Sequence, residues 1–415
     1  MFSPGLAVKR RAIAEPPKDC PMTLISTFWI YRNAVLLGLC QFLLMASAAV
    51  GISYNGLVGQ QLAQSTALAT FPFLSMTATT ALLTLYLPAI LSRLGYQRLF
   101  LMGAILGVLG SLLAALAVWQ GSFVLFCTAG LLLGSFQASA LYYRFAAADS
   151  VAPPHKSTAI AWVLNGGILA ALLGPIMASH SLHWFAVDYL GSYLAVALLV
   201  LLALPVLAWV GLPARQQIAG GDLPSLAQVF AYPYARAAII FCAGSYAMMM
   251  LVMLASPLAM SHCGFEARDA ASVIQWHLLG MFAPSLLTGK LIARYGALVV
   301  AFVGAAILIL GCIVALLGLA LTHFHWALML VGVGWNLMYM GGSTLVTQVP
   351  EVSLRARLQS INEFVTFAVM TLTAGTAGVL YQELGWALLL QFTILVVVIF
   401  SLWAWLTPRH FSRVS

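Results

Sequence analysis

The stretch "GKLIARYGALV" at residues 289–299 repeats a pattern found earlier in the chain, in "PAILSRLGYQR" at residues 88–98. Both contain a glycine or proline, three further residues, a small residue, an arginine, one residue and a glycine. The two arginines, Arg93 and Arg294, lie 201 positions apart in a chain of 415 residues. This spacing predicts that one structural unit is used twice.

The composition shows where such a unit would reside. Only 7% of the residues are charged and 63% are hydrophobic, whereas about 25% of the residues of a soluble domain are charged. A helix needs about 20 apolar residues to cross a bilayer, and it satisfies its own backbone hydrogen bonds. The ten-residue alternation of barrel strands is absent, so we predict an all-α membrane protein.

Twelve long apolar segments follow one another along the chain. We place them at residues 33–58, 67–91, 98–119, 122–146, 157–180, 188–211, 237–260, 270–293, 297–320, 326–348, 358–381 and 385–407. With the repeat, they predict two bundles of six transmembrane helices.

The basic residues give the orientation, because positively charged loops stay on the cytoplasmic side. With the N-terminus inside, 17 of the 18 Lys and Arg residues are cytoplasmic, and Arg268 is the exception. The net charge of +8 is therefore an insertion signal. It is dispersed over short loops and forms no basic face, which argues against nucleic-acid binding. We predict a multi-pass protein of a bacterial cytoplasmic (inner) membrane, with both termini in the cytoplasm.

The longest polar stretch between spans divides the chain. We predict a cytoplasmic N-terminal segment at 1–32, a six-helix bundle at 33–211, a cytoplasmic linker at 212–236, a second bundle at 237–407 and a cytoplasmic tail at 408–415. The first apolar segment is too long for a signal peptide and lacks a cleavage site. Translation could start at Met1 or Met22.

Chemistry-bearing motifs do not favour an enzyme. The six cysteines have neither metal-site nor disulfide spacing. No nucleophile constellation, metal cluster or phosphate-binding loop stands out, so we predict no catalysis, no cofactor and no metal.

The two repeated turns resemble the signature of the major facilitator superfamily, which is Gly, three residues, Asp, Arg, one residue and Gly. Arg93, Gly95, Gly289, Arg294 and Gly296 match it, whereas Pro88, Ser92 and Ala293 depart from it. The resemblance implies two bundles that rock about a central cavity lined by spans one, four, seven and ten. It also makes Arg93 and Arg294 candidates for coupling or gating, although both turns lack the aspartate.

Acidic and basic residues adjoin each other at two further cytoplasmic helix ends. Asp149 lies near Arg144 and Lys156, and Glu351 lies near Arg355 and Arg357. These charges are candidates for gate pairs that break as the bundles rock. Alternatively, they are solvated insertion signals that contribute about 0–1 kcal/mol each.

The pair Gly174 and Pro175 in the fifth span resembles a signature of antiporters in this superfamily, but Ala178 and Ser179 stand where glycines are expected. A bend with close helix packing explains these residues more simply.

Polar side chains within spans are expected to face the cavity or another helix. Trp335, Asn336 and Tyr339 lie within about one helical turn, which makes them a candidate for an aromatic, amide-bearing wall. Without buried cations, such a lining suits a flat neutral solute; the alternative is that these side chains only pack. The full set of substrate-binding candidates is Gln137, Tyr143, Asn165, Tyr246, Gln275, His277, Trp335, Asn336 and Tyr339.

Proton coupling needs a titratable group at depth. His277 lies about 10 Å inside its span, and Glu363 is an acid within the eleventh span. Either could carry a coupling proton. The alternatives are that His277 is satisfied by a neighbouring helix and that the protein is a uniporter.

Phrases such as "YRFAAAD" and "GVGWNLMYMGGSTLVT" are similar to a bacterial branch of the superfamily that includes proposed riboflavin-uptake carriers. We therefore predict a monomeric secondary carrier that moves a small organic solute, flat and vitamin-like, by alternating access within a lipid bilayer. The alternative is a proton-coupled efflux antiporter for drugs or metabolites.

Overall fold

The computed structural model describes residues 24–152, 155–212, 224–232 and 234–406. These ranges are helical with short connections, and they contain no strand. Most of the predicted N-terminal segment, the central part of the linker and the predicted tail lie outside the described residues.

Thirteen helices follow one another in the described ranges. They are α1 (Leu24–Ala63), α2 (Phe71–Gln120), α3 (Phe123–Ala140), α4 (Tyr143–Asp149), α5 (Lys156–Ser181), α6 (Leu190–Trp209), α7 (Leu226–Ala231), α8 (Ala235–His262), α9 (Ala267–Phe282), α10 (Ser285–Tyr295), α11 (Ala297–Leu316), α12 (Leu321–Thr347) and α13 (Val352–Leu406).

Two of these helices each contain two membrane passes. Gly95 in α2 and Gly385 in α13 have φ angles of 74° and 69°, so the chain turns there without a loop. Such angles are accessible to glycine at no steric cost. Nine helical stretches in the described residues are long and apolar enough to cross a membrane. The second limb of α13, the first limb of α2 and α12 complete the twelve predicted spans.

Two other passes are broken. The fourth pass consists of α3 and α4, separated at Leu141 and Tyr142, and the eighth consists of α9 and α10, separated at Ala283 and Pro284. In the predicted linker, α7 begins with a capping box formed by Ser225 and Gln228. The sequence analysis did not predict this short helix.

The buried residues form two cores, which correspond to the two predicted halves. One core contains side chains of α1–α6, and the other is built mainly from α7–α13. Small residues allow helices within a half to touch. At the α11–α12 contact, for example, a Cβ at Gly304 would lie only 2.7 Å from the carbonyl oxygen of Gly334. The all-α fold with two six-helix bundles is confirmed.

An even number of passes places Leu24 and Leu406 on one side of the molecule, which we call the terminal side. On the opposite side, the two bundles are joined by hydrogen bonds. The Ala67 amide donates to Gln382 Oε1 at 3.0 Å, and the Gly378 amide donates to Thr70 Oγ1 at 3.2 Å. These bonds close the bundle interface at that end.

Candidate functional site

Three aromatic side chains from α8 and α12 form one cluster. The rings of Trp335 and Tyr339 are parallel within 5°, with centroids 5.3 Å apart. Tyr246 meets both rings edge-on, at 5.0 Å from Trp335 and 5.2 Å from Tyr339. Residues four apart on a helix share a face, which explains why Trp335 and Tyr339 are adjacent. We call these three residues the aromatic trio.

An ion pair crosses between the bundles close to the trio. Arg144 of α4 and Glu363 of α13 have a nitrogen–oxygen distance of 3.8 Å. The phenol groups of Tyr246 and Tyr339 are within electrostatic reach of both charges. The sequence analysis expected a lining without buried cations, and Arg144 departs from that expectation because it places a guanidinium beside the trio.

The ion pair lies within the fourth and eleventh passes, toward the terminal side, and is partly exposed. Glu363 lies eleven residues after the start of α13, which corresponds to about 16 Å of helix. Nevertheless, the side chains of Arg144 and Glu363 are 36% and 35% exposed. Charged groups within membrane helices face water-filled cavities or partners, since lipid exposure is costly. Both side chains therefore keep surface that water can reach.

The two predicted gate clusters, around Asp149 and around Glu351, make contacts other than this ion pair. Asp149 accepts a hydrogen bond from Tyr96 at 2.8 Å, and the side chain of Lys156 lies outside the described part. Glu351 is exposed and accepts a hydrogen bond from Ser353, and Arg355 is half-buried. Local clustering in sequence therefore did not identify the ion pair.

Two side chains beside the trio were missed by the sequence analysis. Cys242 Sγ donates to the carbonyl oxygen of Tyr339 at 3.8 Å and lies 3.7 Å from Ser343 Oγ. Cys242 precedes Tyr246 by four residues, and Ser343 follows Tyr339 by four. A one-turn spacing from the predicted aromatic residues was therefore the available signal.

Asn336 does not point its amide into the site. Its Nδ2 donates to the Met281 carbonyl oxygen and to Ser285 Oγ, both at 2.7 Å, and its Oδ1 accepts from Thr288 at 2.8 Å. These partners flank the break between α9 and α10. The amide is therefore fully used in holding a broken helix to α12.

His277 is also held between helices of one bundle. It is completely buried, and its Nδ1 lies 2.7 Å from the carbonyl oxygen of Leu328 on α12. A carbonyl oxygen only accepts hydrogen bonds, so Nδ1 carries the proton. A neighbouring helix therefore satisfies one ring nitrogen of the imidazole, whereas Nε2 is buried without a hydrogen-bond partner.

The remaining substrate-binding candidates are scattered. Gln137 lines a cleft within the first bundle, whose wall includes Asn55 and Tyr193. Tyr143 is buried edge-on against Phe100, at 4.8 Å between centroids.

The other two substrate-binding candidates are located at α5. One lies where α9 contacts α5, and the other lies on the surface of α5. Gln275 donates to the carbonyl oxygen of Leu172 at 2.9 Å, which joins α9 to α5. Asn165 is exposed on α5.

The arginines of the two repeated turns lie on the surface. Arg93 and Arg294 are both exposed, and the Arg294 guanidinium lies 5.2 Å from the centre of the Tyr295 ring.

Within the described ranges, no group of three or more His, Cys, Asp or Glu side chains is placed to hold a metal ion.

Comparisons with known proteins agree with this architecture. The family model described as Major Facilitator Superfamily matches residues 37–353. The riboflavin transporter RfnT of Brucella anthropi is 34% identical over 385 residues, which cover 91% of this chain and 96% of that protein. The MFS-type transporter YddS of Bacillus subtilis is 27% identical, and the match covers 80% of each chain.

Solved structures show the same fold at low sequence identity. The nucleoside transporter NupG matches with a TM-score of 0.72 and 14% identity, over 92% of this chain and all of that one. A bacterial homologue of the human lysosomal transporter Spinster gives a TM-score of 0.64 and 15% identity, over 90% and 95% of the two chains.

Proposed function

Because the chain belongs to the major facilitator superfamily and is a membrane transporter, we propose that it is a secondary carrier for a flat, uncharged heteroaromatic solute of the riboflavin type. The observation that carries this proposal is the aromatic trio beside the ion pair of Arg144 and Glu363. The relative named as a riboflavin transporter, at 34% identity, supports the same substrate class.

The trio suits a planar ligand. Aromatic rings prefer offset-stacked and edge-on arrangements, and the buried ring of Trp335 already stacks on Tyr339 within the trio. Tyr339 and Tyr246 are partly exposed, so part of this aromatic surface is accessible to a ligand. Binding pockets typically combine such apolar surface with a few polar groups that fix orientation. Here the polar groups would be the guanidinium and the carboxylate of the ion pair.

Alternating access is supported by the unequal ends of the bundle interface. Hydrogen bonds to Thr70, Ala67 and Leu172 join the bundles in the half of the membrane away from the termini. The ion pair, in the other half, is open to solvent. We assign the terminal side to the cytoplasm of a bacterial inner membrane, since the basic loops lie on that side. The described state would then face the cytoplasm.

The carrier would work as a monomer, since each chain supplies both halves of the proposed cavity. Its partners would be the solute and the surrounding lipid, with protons as coupling ions through Glu363. His277 is no longer our choice as proton carrier, because it is fully buried and its Nδ1 is bound to the Leu328 carbonyl oxygen.

Riboflavin uptake into proteoliposomes would test the proposal directly. The purified chain should catalyse saturable uptake, and Trp335→Ala should reduce it strongly because Tyr339 and Tyr246 lose the buried ring that they pack against. Trp326→Ala is the matched control, because Trp326 lies on the same helix and is 56% exposed at its surface. If the wild-type chain transports no flavin, or if the two variants behave alike, the proposal is wrong.

The alternative function predicted from the sequence is efflux by proton antiport. The antiporter-like pair Gly174 and Pro175 gives this alternative little support. A Cβ at Gly174 would lie 2.6 Å from the Cβ of Ala49, so close packing of α5 on α1 accounts for the glycine. Cationic dyes would also be poorly matched by a site whose charges already balance. Dye efflux from energised vesicles that exceeds flavin transport would favour this alternative.

A further inference from the structure

The ion pair between the bundles has unused hydrogen-bonding capacity. At 3.8 Å, Arg144 and Glu363 are farther apart than the 2.7–3.2 Å of an N–H···O hydrogen bond. The Nε of Arg144 is buried and has no hydrogen-bond partner. The two groups thus balance each other's charge, and because both side chains are about one-third exposed, their donors and acceptors other than the buried Nε remain available to a third molecule.

The pair offers one donor group and one acceptor group side by side. A guanidinium only donates hydrogen bonds, and an ionised carboxylate only accepts them. A ligand edge that complements both must present an acceptor next to a donor. In a flat heterocycle, a cyclic imide has this pattern, because its N–H lies between two carbonyl groups.

We propose that Arg144 and Glu363 together recognise the imide edge of a planar heterocycle whose ring stacks on the aromatic trio. This proposal rests on the function proposed above and adds its recognition chemistry. A ligand carbonyl accepts from the Arg144 guanidinium, and the imide N–H donates to the Glu363 carboxylate. Riboflavin has such an edge in its pyrimidinedione ring, and so do uracil and xanthine bases.

The charge balance of the site excludes other substrate classes. A neutral imide leaves the guanidinium and the carboxylate to compensate each other. A cationic or anionic ligand would leave one uncompensated charge at depth in the membrane, where such charges are costly. The site should therefore select against cationic dyes even when their rings are equally flat.

The same geometry links binding to the position of the bundles. Arg144 belongs to α4 in the first half, and Glu363 belongs to α13 in the second. An imide placed between them replaces a direct contact with one mediated by the ligand. The occupied and empty carriers therefore have different links at the same point of the bundle interface.

Binding of riboflavin and N3-methylriboflavin to the purified chain in nanodiscs tests the proposal, with quenching of flavin fluorescence as the signal. Methylation removes the N–H donor and preserves the rings. Hydrogen bonds to charged groups are the stronger ones, so the wild-type chain should bind the methylated compound at least about tenfold more weakly. Equal binding of the two flavins would overturn the proposal, and this comparison requires no protein variant.

Variants test whether the Glu363 carboxylate is the group that accepts the hydrogen bond from the imide N–H. Glu363→Ala should bind the two flavins with similar, weak affinity. Glu383→Ala removes an exposed acid of the same helix and should discriminate as the wild type does. Retained discrimination in Glu363→Ala would show that another group reads the N–H, which contradicts the assignment.

Failure of the proposed function has a separate signature. If riboflavin does not bind, the flavin proposal fails. The imide proposal is then tested separately, by comparing the binding affinities of uridine, 3-methyluridine and the cationic dye proflavine. Tighter binding of uridine than of 3-methyluridine and proflavine would support imide recognition. Preference for the dye, or binding of none of these compounds, would overturn it.

Discussion

The side-chain amide of Asn336 donates to the carbonyl oxygen of Met281 at 2.7 Å, next to the break at Pro284. Proline has no backbone N–H, so it interrupts the hydrogen-bond ladder of the pass formed by α9 and α10. The same amide also bonds Ser285 and Thr288. One residue of α12 thus supplies hydrogen bonds to both sides of the break.

Asn336→Leu should therefore destabilise the second bundle. Each buried partner left without a hydrogen bond costs about 1–3 kcal/mol, and the loss should appear as a lower midpoint of thermal unfolding in detergent. Thr344→Val is the control, because the Thr344 hydroxyl bonds within its own helix, to Met340. A fully stable Asn336→Leu variant that has lost flavin binding would instead place this amide in the site.

His277→Ala is expected to affect stability and not coupling. The substitution removes a buried hydrogen bond to Leu328, which is worth about 1 kcal/mol, and leaves a cavity between α9 and α12. Transport by the folded fraction should keep the pH profile of the wild type between pH 5.5 and 8. His277→Asn should recover part of the stability, since its amide can donate to the same carbonyl. A changed pH profile would restore His277 as a proton carrier.

Arg144→Gln should strongly reduce transport while the protein still inserts and purifies. The change leaves Glu363 without a compensating charge inside the membrane region. The double variant Arg144→Glu and Glu363→Arg restores the balance and should recover part of the activity. Arg268→Gln, at an exposed site, is the control and should transport normally. Unchanged uptake by Arg144→Gln would remove the pair from the transport cycle.

Gly378→Ala should shift the two bundles apart on the side opposite the termini. A Cβ at Gly378 would lie 2.6 Å from the Thr66 carbonyl oxygen, at the interface between α13 and the α1–α2 connection. Distances between spin labels at Gln61→Cys and Glu383→Cys, in a cysteine-free background, should lengthen. Gly289→Ala is the matched control, because no neighbouring atom lies within 4 Å of its added Cβ. Identical distance distributions would show that the interface adapts without opening.

Hydropathy and the repeated turns were sufficient to predict the twelve passes, because crossing a bilayer imposes length and apolarity on each pass. The same spacing rule brought Trp335 and Tyr339 together, since residues four apart share a helix face. The predicted domain boundaries within the linker and the tail stay predictions.

The orientation of single polar side chains was not predictable in the same way. In a membrane helix, both lipid and neighbouring helices favour apolar residues, so the pattern does not reveal which face meets the cavity. Asn336 and His277 accordingly proved to contact adjacent helices. The partner of Arg144 lies 219 positions away, on the other bundle, whereas the sequence analysis favoured nearby Asp149. Only the tertiary arrangement decides between them.

The balanced charges of Arg144 and Glu363 also have an electrical consequence. Moving one elementary charge through the membrane field is worth about 2.3 kcal/mol per 100 mV. A lone cation on one bundle would tie the return of the empty carrier to the membrane voltage. Since a carboxylate accompanies the guanidinium, the empty carrier would reorient with little net charge movement. The return of the empty carrier would then depend little on the resting potential of the cell, whereas a coupling proton carried through Glu363 with a neutral solute would move one net charge.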